Sequence, residues 1–320
     1  MLQFLVKRLI GLIFVIIGVT FITFIMGYFA PGDPIRVLFG EHPDRLLEIQ
    51  LRHAYGLDLP WYQQYGNFLV HLARFDFGLS FHYQNRSVWD ILKDGIPISA
   101  ELGFWALLLQ ILVGVPLGVL SGVRANSWLY TLNMGMALVV YALPIFILAV
   151  LCQLFIIWID KTTGMSWPNS QWGTSWSYSW TDIQYKLAPI LVYAAAGTAY
   201  FARITRTSLL EVLRQDYIRT ARAKGLYEYI VTYRHGLYNA LIPLITVIGS
   251  SIRFLVTGAF FTEYIFAIPG IARITLDSIT NLDYPVIQAT TVILAVGVVI
   301  GNLISDLLYT IADPRISFNS

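Results

Sequence analysis

The residues best suited to chemistry lie in one polar stretch, 203–240, of an otherwise apolar chain. It reads Arg203-Ile-Thr-Arg206, then Glu211-Val-Leu-Arg-Gln-Asp216, then Tyr217-Ile-Arg-Thr-Ala-Arg-Ala-Lys-Gly225. Seven of the chain's 21 lysines and arginines fall within it. Asp216 is placed to cap a helix N-terminus, 217–224 is long enough for two turns, and Gly225 suits the left-handed residue that ends one. A second short helix is expected over 227–236, ahead of Asn239 and Pro243. A loop that only anchors topology needs no capped helix with Thr220, Ala221 and Ala223 among its bases. Small side chains let a helix seat closely against a partner. The chemistry this points to is docking, a short peg for a groove in another protein.

Bond-making chemistry finds no support. There is no Gly-Lys pair, hence no Walker A loop, and no HExxH, GxSxG or paired-cysteine metal site. Cys152 is the single cysteine. The five histidines all lie outside the apolar runs, so an intramembrane histidine relay is missing. One cation does interrupt an apolar run. Arg253 stands 12 residues beyond Leu241, roughly 18 Å along a helix. A charge there is expensive and faces a cavity or a partner. Two readings stay open: contact with a permeating solute's carboxylate or carbonyl groups, or an ion pair with an acid on another span or subunit. Pro144 interrupts another run and marks a pore wall or a hinge. Gly114, Gly118 and Gly122 form a small-xxx-small ridge suited to helix packing.

The elements that must position these residues follow from composition. Hydrophobic residues are 57% of 320 and charged ones 12%. About 25% charged is usual for a globular protein. So few charges cannot cover a soluble surface of this size. Mean hydropathy is +0.64, and the net charge of +2 carries no message about nucleic acid. The chain reads as an all-α polytopic membrane protein. Six stretches approach the roughly 20 residues a crossing needs: 9–29, 99–122, 131–158, 188–208, 241–264 and 286–309. The first is too long for the ~7–15-residue core of a signal peptide and lacks a small-x-small site before Pro31, so it is expected to be retained.

Orientation follows from the positive-inside rule. With the N-terminus inside, inner segments hold eleven lysines and arginines and the two short outer loops three, Lys161, Lys186 and Arg273. Both termini are therefore expected in the cytoplasm. Division is expected into an N-terminal span over 1–29, an extracytoplasmic cap over 30–98, and a five-helix core over 99–320 that contains the cytoplasmic loop 209–240. The outer segment 159–187, dense in Trp, Ser and Tyr, reads as an interfacial aromatic belt or as a docking surface.

Arg219-Thr-Ala-Arg-Ala-Lys-Gly225 followed by Arg234-His-Gly-Leu-Tyr-Asn-Ala-Leu-Ile-Pro243 resembles the coupling-loop motif of bacterial ABC importer permeases, specifically the oligopeptide/dipeptide branch. The generic motif has Glu-Ala where Arg219 and Thr220 stand, and a shorter Gly-to-Pro spacing. Both departures are features of the peptide branch. Further blocks carry the resemblance along the chain: Pro31-Gly-Asp-Pro34, Tyr55-Gly-Leu-Asp-Leu-Pro60, Phe75-Asp-Phe-Gly78-Leu-Ser80, Glu263-Tyr-Ile-Phe266, Asp283-Tyr-Pro285 and Asp313-Pro-Arg315.

The resemblance implies a type I importer-like permease of the cytoplasmic (inner) membrane that moves peptides by alternating access. It implies a second homologous permease, two cytosolic ATPases that bind the ATP and Mg, and an extracytoplasmic solute-binding protein. The chain would carry no cofactor and no catalysis of its own. Asp216, Tyr217, Arg219, Thr220, Ala221, Arg222, Ala223, Lys224 and Gly225 would form the ATPase-coupling helix. Arg253 and Pro144 would belong to the translocation path, and Glu101 and Glu263 to an outer gate or a binding-protein contact. The alternative is a stand-alone ion-coupled secondary transporter, which would want membrane-buried acids or an inverted repeat with broken helices.

Overall fold

Lipid offers the backbone no hydrogen-bond partners, so long apolar runs must satisfy their own amides and wind into helices. The structure, a computed structural model, describes residues 2–29, 32, 33, 35, 45–83, 86–124, 127–252 and 259–312. In chain order the helices are α1 (Leu2–Phe29), α2 (Arg45–Ala54), α3 (Trp61–Ala73), α4 (Val88–Val123), α5 (Trp128–Ala142), α6 (Ile145–Thr163) and α7 (Trp180–Leu213). There follow α8 (Asp216–Ala223), α9 (Glu228–Ile230), a π-helical turn (Val231–Leu237), α10 (Tyr238–Ile252), α11 (Phe260–Ile265), α12 (Ile271–Thr280) and α13 (Tyr284–Ala312). Among the described residues, α1, α4, α6, α7 and α13 are long and apolar enough to cross a membrane.

Two expectations change. The expected span 131–158 is two helices, because Leu143 is held extended (ψ 130°) before Pro144, and α6 starts afresh behind the proline. A residue preceding proline is driven out of the helical region in this way. Pro116, by contrast, leaves α4 unbroken over 36 residues. The expected helix over 227–236 does not stop short of the next element. It passes through the π-helical turn directly into α10, with Pro243 inside. Its buried residues Val231, Thr232 and Gly236 hold it to the end of α7, where Leu209 and Leu213 approach Gly236, and this packing overrides the local stop signals.

The chain divides into two compact units. The first comprises residues 1–99 and 269–299. Its core joins Val88, Ile91 and Leu92 of α4 to Ile271 of α12 and to Val286 and Ala289 of α13. On α3, Tyr65 donates its hydroxyl to the Ile17 carbonyl at 2.9 Å and packs edge-on against Phe21, fastening α3 to α1. The buried Asp283 carboxylate accepts from the Ser80 hydroxyl, from the Phe81 amide at 3.0 Å and from the His82 amide at 3.2 Å. The Gly78-Leu-Ser80 and Asp283-Tyr-Pro285 blocks are thus two halves of one hydrogen-bonded joint.

The second unit comprises residues 100–268 and 300–320. Here α4 lies on α7 along the glycine ridge. A Cβ on Gly118 would meet the Ala202 carbonyl oxygen and Thr205 Cβ, both at 2.5 Å. Gly114 and Gly122 face Phe201 and Leu209 in the same way. Val119, Leu209 and Ala240 close a core where α4, α7 and α10 meet.

Candidate functional site: an exposed helix on a fixed base

The basic loop leaves α7 through Arg214 and Gln215 and turns at once into α8. Gln215 occupies the N-cap, extended at φ −68° and ψ 152°, with no side-chain cap bond. Asp216, expected as the cap, is instead the first helical residue. Its exposed carboxylate lies 3.4 Å from Arg219 Nη1, one turn on. It still places negative charge at the positive end of the helix. The far end closes in a Schellman arrangement: the Gly225 amide donates to Arg222 O at 2.9 Å and the Leu226 amide to Ala221 O at 3.4 Å. Gly225 has φ +78°, a conformation that costs a residue with a side chain roughly 1 kcal/mol or more.

Two faces divide the nine expected coupling residues. Ile218 and Ala221, one turn apart, are buried against Val231 and Leu213. Tyr217, Arg219, Thr220, Arg222, Ala223, Lys224 and Gly225 are exposed beside Asp216. Ala221 is therefore part of the base that fixes the helix, not of the surface it offers. Arg222 grips Glu228 with two charge-assisted bonds, Nη2 to Oε1 at 2.6 Å and Nε to Oε2 at 3.0 Å. The guanidinium holds the Glu228 carboxyl below the usual glutamate range. This clasp ties the end of α8 to the start of the helix that becomes α10. Ile218 was missed by sequence reasoning. The signal was present as the apolar pair Ile218 and Ala221 at i, i+3 in a polar stretch.

The remaining expected residues are dispersed. Arg253 lies outside the described residues. Pro144 is exposed at the α5–α6 break. Glu101 and Glu263, expected at an outer gate or a binding-protein contact, are both buried. Glu101 lies 2.7 Å from Lys186 Nζ, and its second oxygen accepts from Trp172 Nε1 at 3.0 Å and the Trp176 amide at 2.8 Å. Lys186 also donates to the carbonyls of Thr174 and Ser177, each at 2.8 Å. Its ammonium stands over the rings of Trp172 and Tyr178. Every strong hydrogen-bonding atom of the pair has a partner. Its effect is to nail the aromatic loop 164–179 onto α4 and α7.

The comparisons agree with this architecture. Residues 114–318 match the family described as binding-protein-dependent transport system inner membrane component, and residues 1–103 match its N-terminal region. The dipeptide transport system permease protein of Alkalihalophilus pseudofirmus is 36% identical, covering 99% of this chain and 100% of the relative. An oligopeptide transport system permease protein of Bacillus subtilis is 35% identical over the same shares. A glutathione transport system permease protein of Escherichia coli is 34% identical, again over 99% and 100%. Among solved structures, a chain of the MetNI methionine ABC transporter in an inward-facing conformation shares the fold, with a TM-score of 0.55 at 19% identity over 70% of this chain and 97% of that one. The chain belongs to the binding-protein-dependent transport system inner membrane components, as a membrane permease subunit of the dipeptide and oligopeptide ABC importer branch.

Proposed function

We propose that the chain is one of two permease subunits through which an ATP-driven importer moves peptides into the cytoplasm. The observation that carries this reading is α8, whose inner face is locked to the ends of α7 and α10 while its outer face is left bare. In this reading six spans cross the membrane with both termini inside, and 241–264 contributes one of them. The segment 30–98 is an extracytoplasmic cap segment and 99–320 the five-helix core, and a solute-binding protein delivers substrate on the outer side. Two cytosolic ATPases bind ATP and Mg and receive α8 of this chain and its equivalent on the second permease. Closing of the ATPase pair pushes on α8. The Ile218–Val231 contact and the Arg222–Glu228 clasp pass that push to α7 and α10, and the spans rock between two packed states.

Peptide cargo is supported by the relatives' names, which cover dipeptide, oligopeptide and glutathione transport. The test uses the exposed face. Ala223→Asp puts bulk and charge on the docking surface without touching the core, so peptide uptake should fall at least tenfold at equal membrane abundance. Ala221→Leu should instead lower abundance, because it crowds Leu213 and Val231. Wild-type uptake by Ala223→Asp would end the coupling role of α8.

A further inference from the structure

The second unit holds an arginine that neither the sequence motifs nor the coupling helix accounts for. Arg203 of α7 is exposed, and its guanidinium carbon lies 5.2 Å from the ring centre of Tyr141 on α5 and 5.7 Å from that of Tyr200. The two tyrosine rings are themselves stacked, 5.8 Å apart and 15° from parallel. Among the described residues no carboxylate lies within ion-pair distance of Arg203. One turn further along α7, Arg206 keeps its Nε buried with no acceptor. Residues three apart share a helix face. Two guanidinium groups thus stand on adjacent turns, one packed on tyrosine rings and one with an unmet buried donor, and among the described residues no anion answers either.

Position inside an expected span, 188–208, separates Arg203 from most of the inner cations that set topology. Those belong in loops, as Arg214 and Arg219 do. Arg203 lies five residues before the inner end of that span, a rise of about 8 Å. Its guanidinium thus stands toward the inner end of a hydrocarbon core about 30 Å thick. An arginine at such depth faces a cavity or a partner. Tyr141 also lies two residues before Leu143, where the backbone leaves the helix ahead of exposed Pro144. Irregular backbone at membrane depth is tolerated where it lines a polar cavity or is buried in protein.

We infer that Arg203, caged by Tyr141 and Tyr200 and assisted by Arg206, is a carboxylate-binding station on the translocation path that receives the C-terminal carboxylate of the peptide. The guanidinium offers a planar, paired donor set that matches a carboxylate. The tyrosines hold it in place by cation–π contact and leave its outer edge open. This rests on the peptide-importer reading and adds to it the group on the cargo that the membrane domain recognises.

The test uses the whole complex in proteoliposomes with its binding protein. Two peptides of one sequence are compared, a free acid and its C-terminal amide, chosen as a pair that the binding protein captures in both forms. Arg203→Gln should cut uptake of the free acid about tenfold or more, the worth of one charge-assisted bond. Uptake of the amide should change less than twofold, and Arg203→Lys should recover part of the loss. Equal loss for both peptides would make Arg203 a structural contact, to the second permease for instance, and overturn the inference. So would no loss for either. Repeating the comparison in vesicles without anionic lipid separates cargo from lipid: if the effect of Arg203→Gln disappears there, the arginine binds lipid phosphate and the inference fails. A wild-type complex that hydrolyses ATP in response to loaded binding protein yet moves neither peptide would refute the peptide reading itself.

Discussion

At the scale of single residues, the most constrained group outside α8 is the buried pair Glu101 and Lys186. Taking two charges out of water costs several kcal/mol each, and only a fully satisfied network recovers it. Glu101 and Lys186 have that network in Trp172, Trp176, Thr174 and Ser177. Removing one partner strands the other. Lys186→Met should therefore cost about 3–5 kcal/mol and release the loop 164–179, seen as a lower thermal midpoint in detergent together with new solvent exposure of Trp172. Glu101→Leu with Lys186→Met should recover part of the loss. It cannot recover all, because the Trp172 and Trp176 donors and the Thr174 and Ser177 carbonyls stay without their partners. A single Lys186→Met variant as stable as the wild type would show that the charges do not hold the loop. Sequence reasoning placed Glu101 near the outer boundary and counted Lys186 among outer-loop charges. It could not pair them, since 85 residues separate the two and only the fold brings them together.

At the scale of elements, helix existence was legible and helix connection less so. Apolar length announces α1, α4, α6, α7 and α13, since nothing else satisfies a backbone in lipid. The glycine spacing at 114, 118 and 122 announces a close helix contact, though not which helix receives it. That helix is α7, and the fit leaves no room. Gly118→Leu must push α4 away from the Ala202 carbonyl, so a loss of about 1–3 kcal/mol is expected, read as a lower thermal midpoint and reduced membrane abundance. Gly135, whose added Cβ would meet nothing within 4 Å, gives the matched control, and Gly135→Leu should be near neutral. Equal effects at the two glycines would remove the ridge as a packing device. The connection between α8 and α10 was misread for a related reason. Asn239 and Pro243 are local stop signals, but burial of Val231, Thr232 and Gly236 is a tertiary effect that local signals do not carry. The π-helical turn that results sits between α8 and a core helix, where a change of register would be felt by both.

At the scale of the whole molecule, the unusual property is a short helix with an anchored inner face and an exposed outer one. A short isolated helix is marginal in water. Eight residues keep their shape here because Ile218 and Ala221 are anchored, Arg222 is clasped to Glu228, and Gly225 closes the end. Such a base makes sense when force is applied from outside. A chain that works alone needs no such peg, and the ion-coupled alternative would leave it without a purpose. The two readings diverge in what accompanies the chain out of the membrane. Solubilised gently, this permease should co-purify with a second multi-span protein and with ATPases that carry the Walker A loop missing here. Mass spectrometry of the purified material identifies them. Ala223→Asp should lose the ATPases and keep the second permease, because in the proposed reading the exposed face of α8 is offered only to the former. Recovery of this chain by itself, from an extract in which a known ABC complex survives intact, would leave α8 as a topology signal and return the ion-coupled transporter to first place.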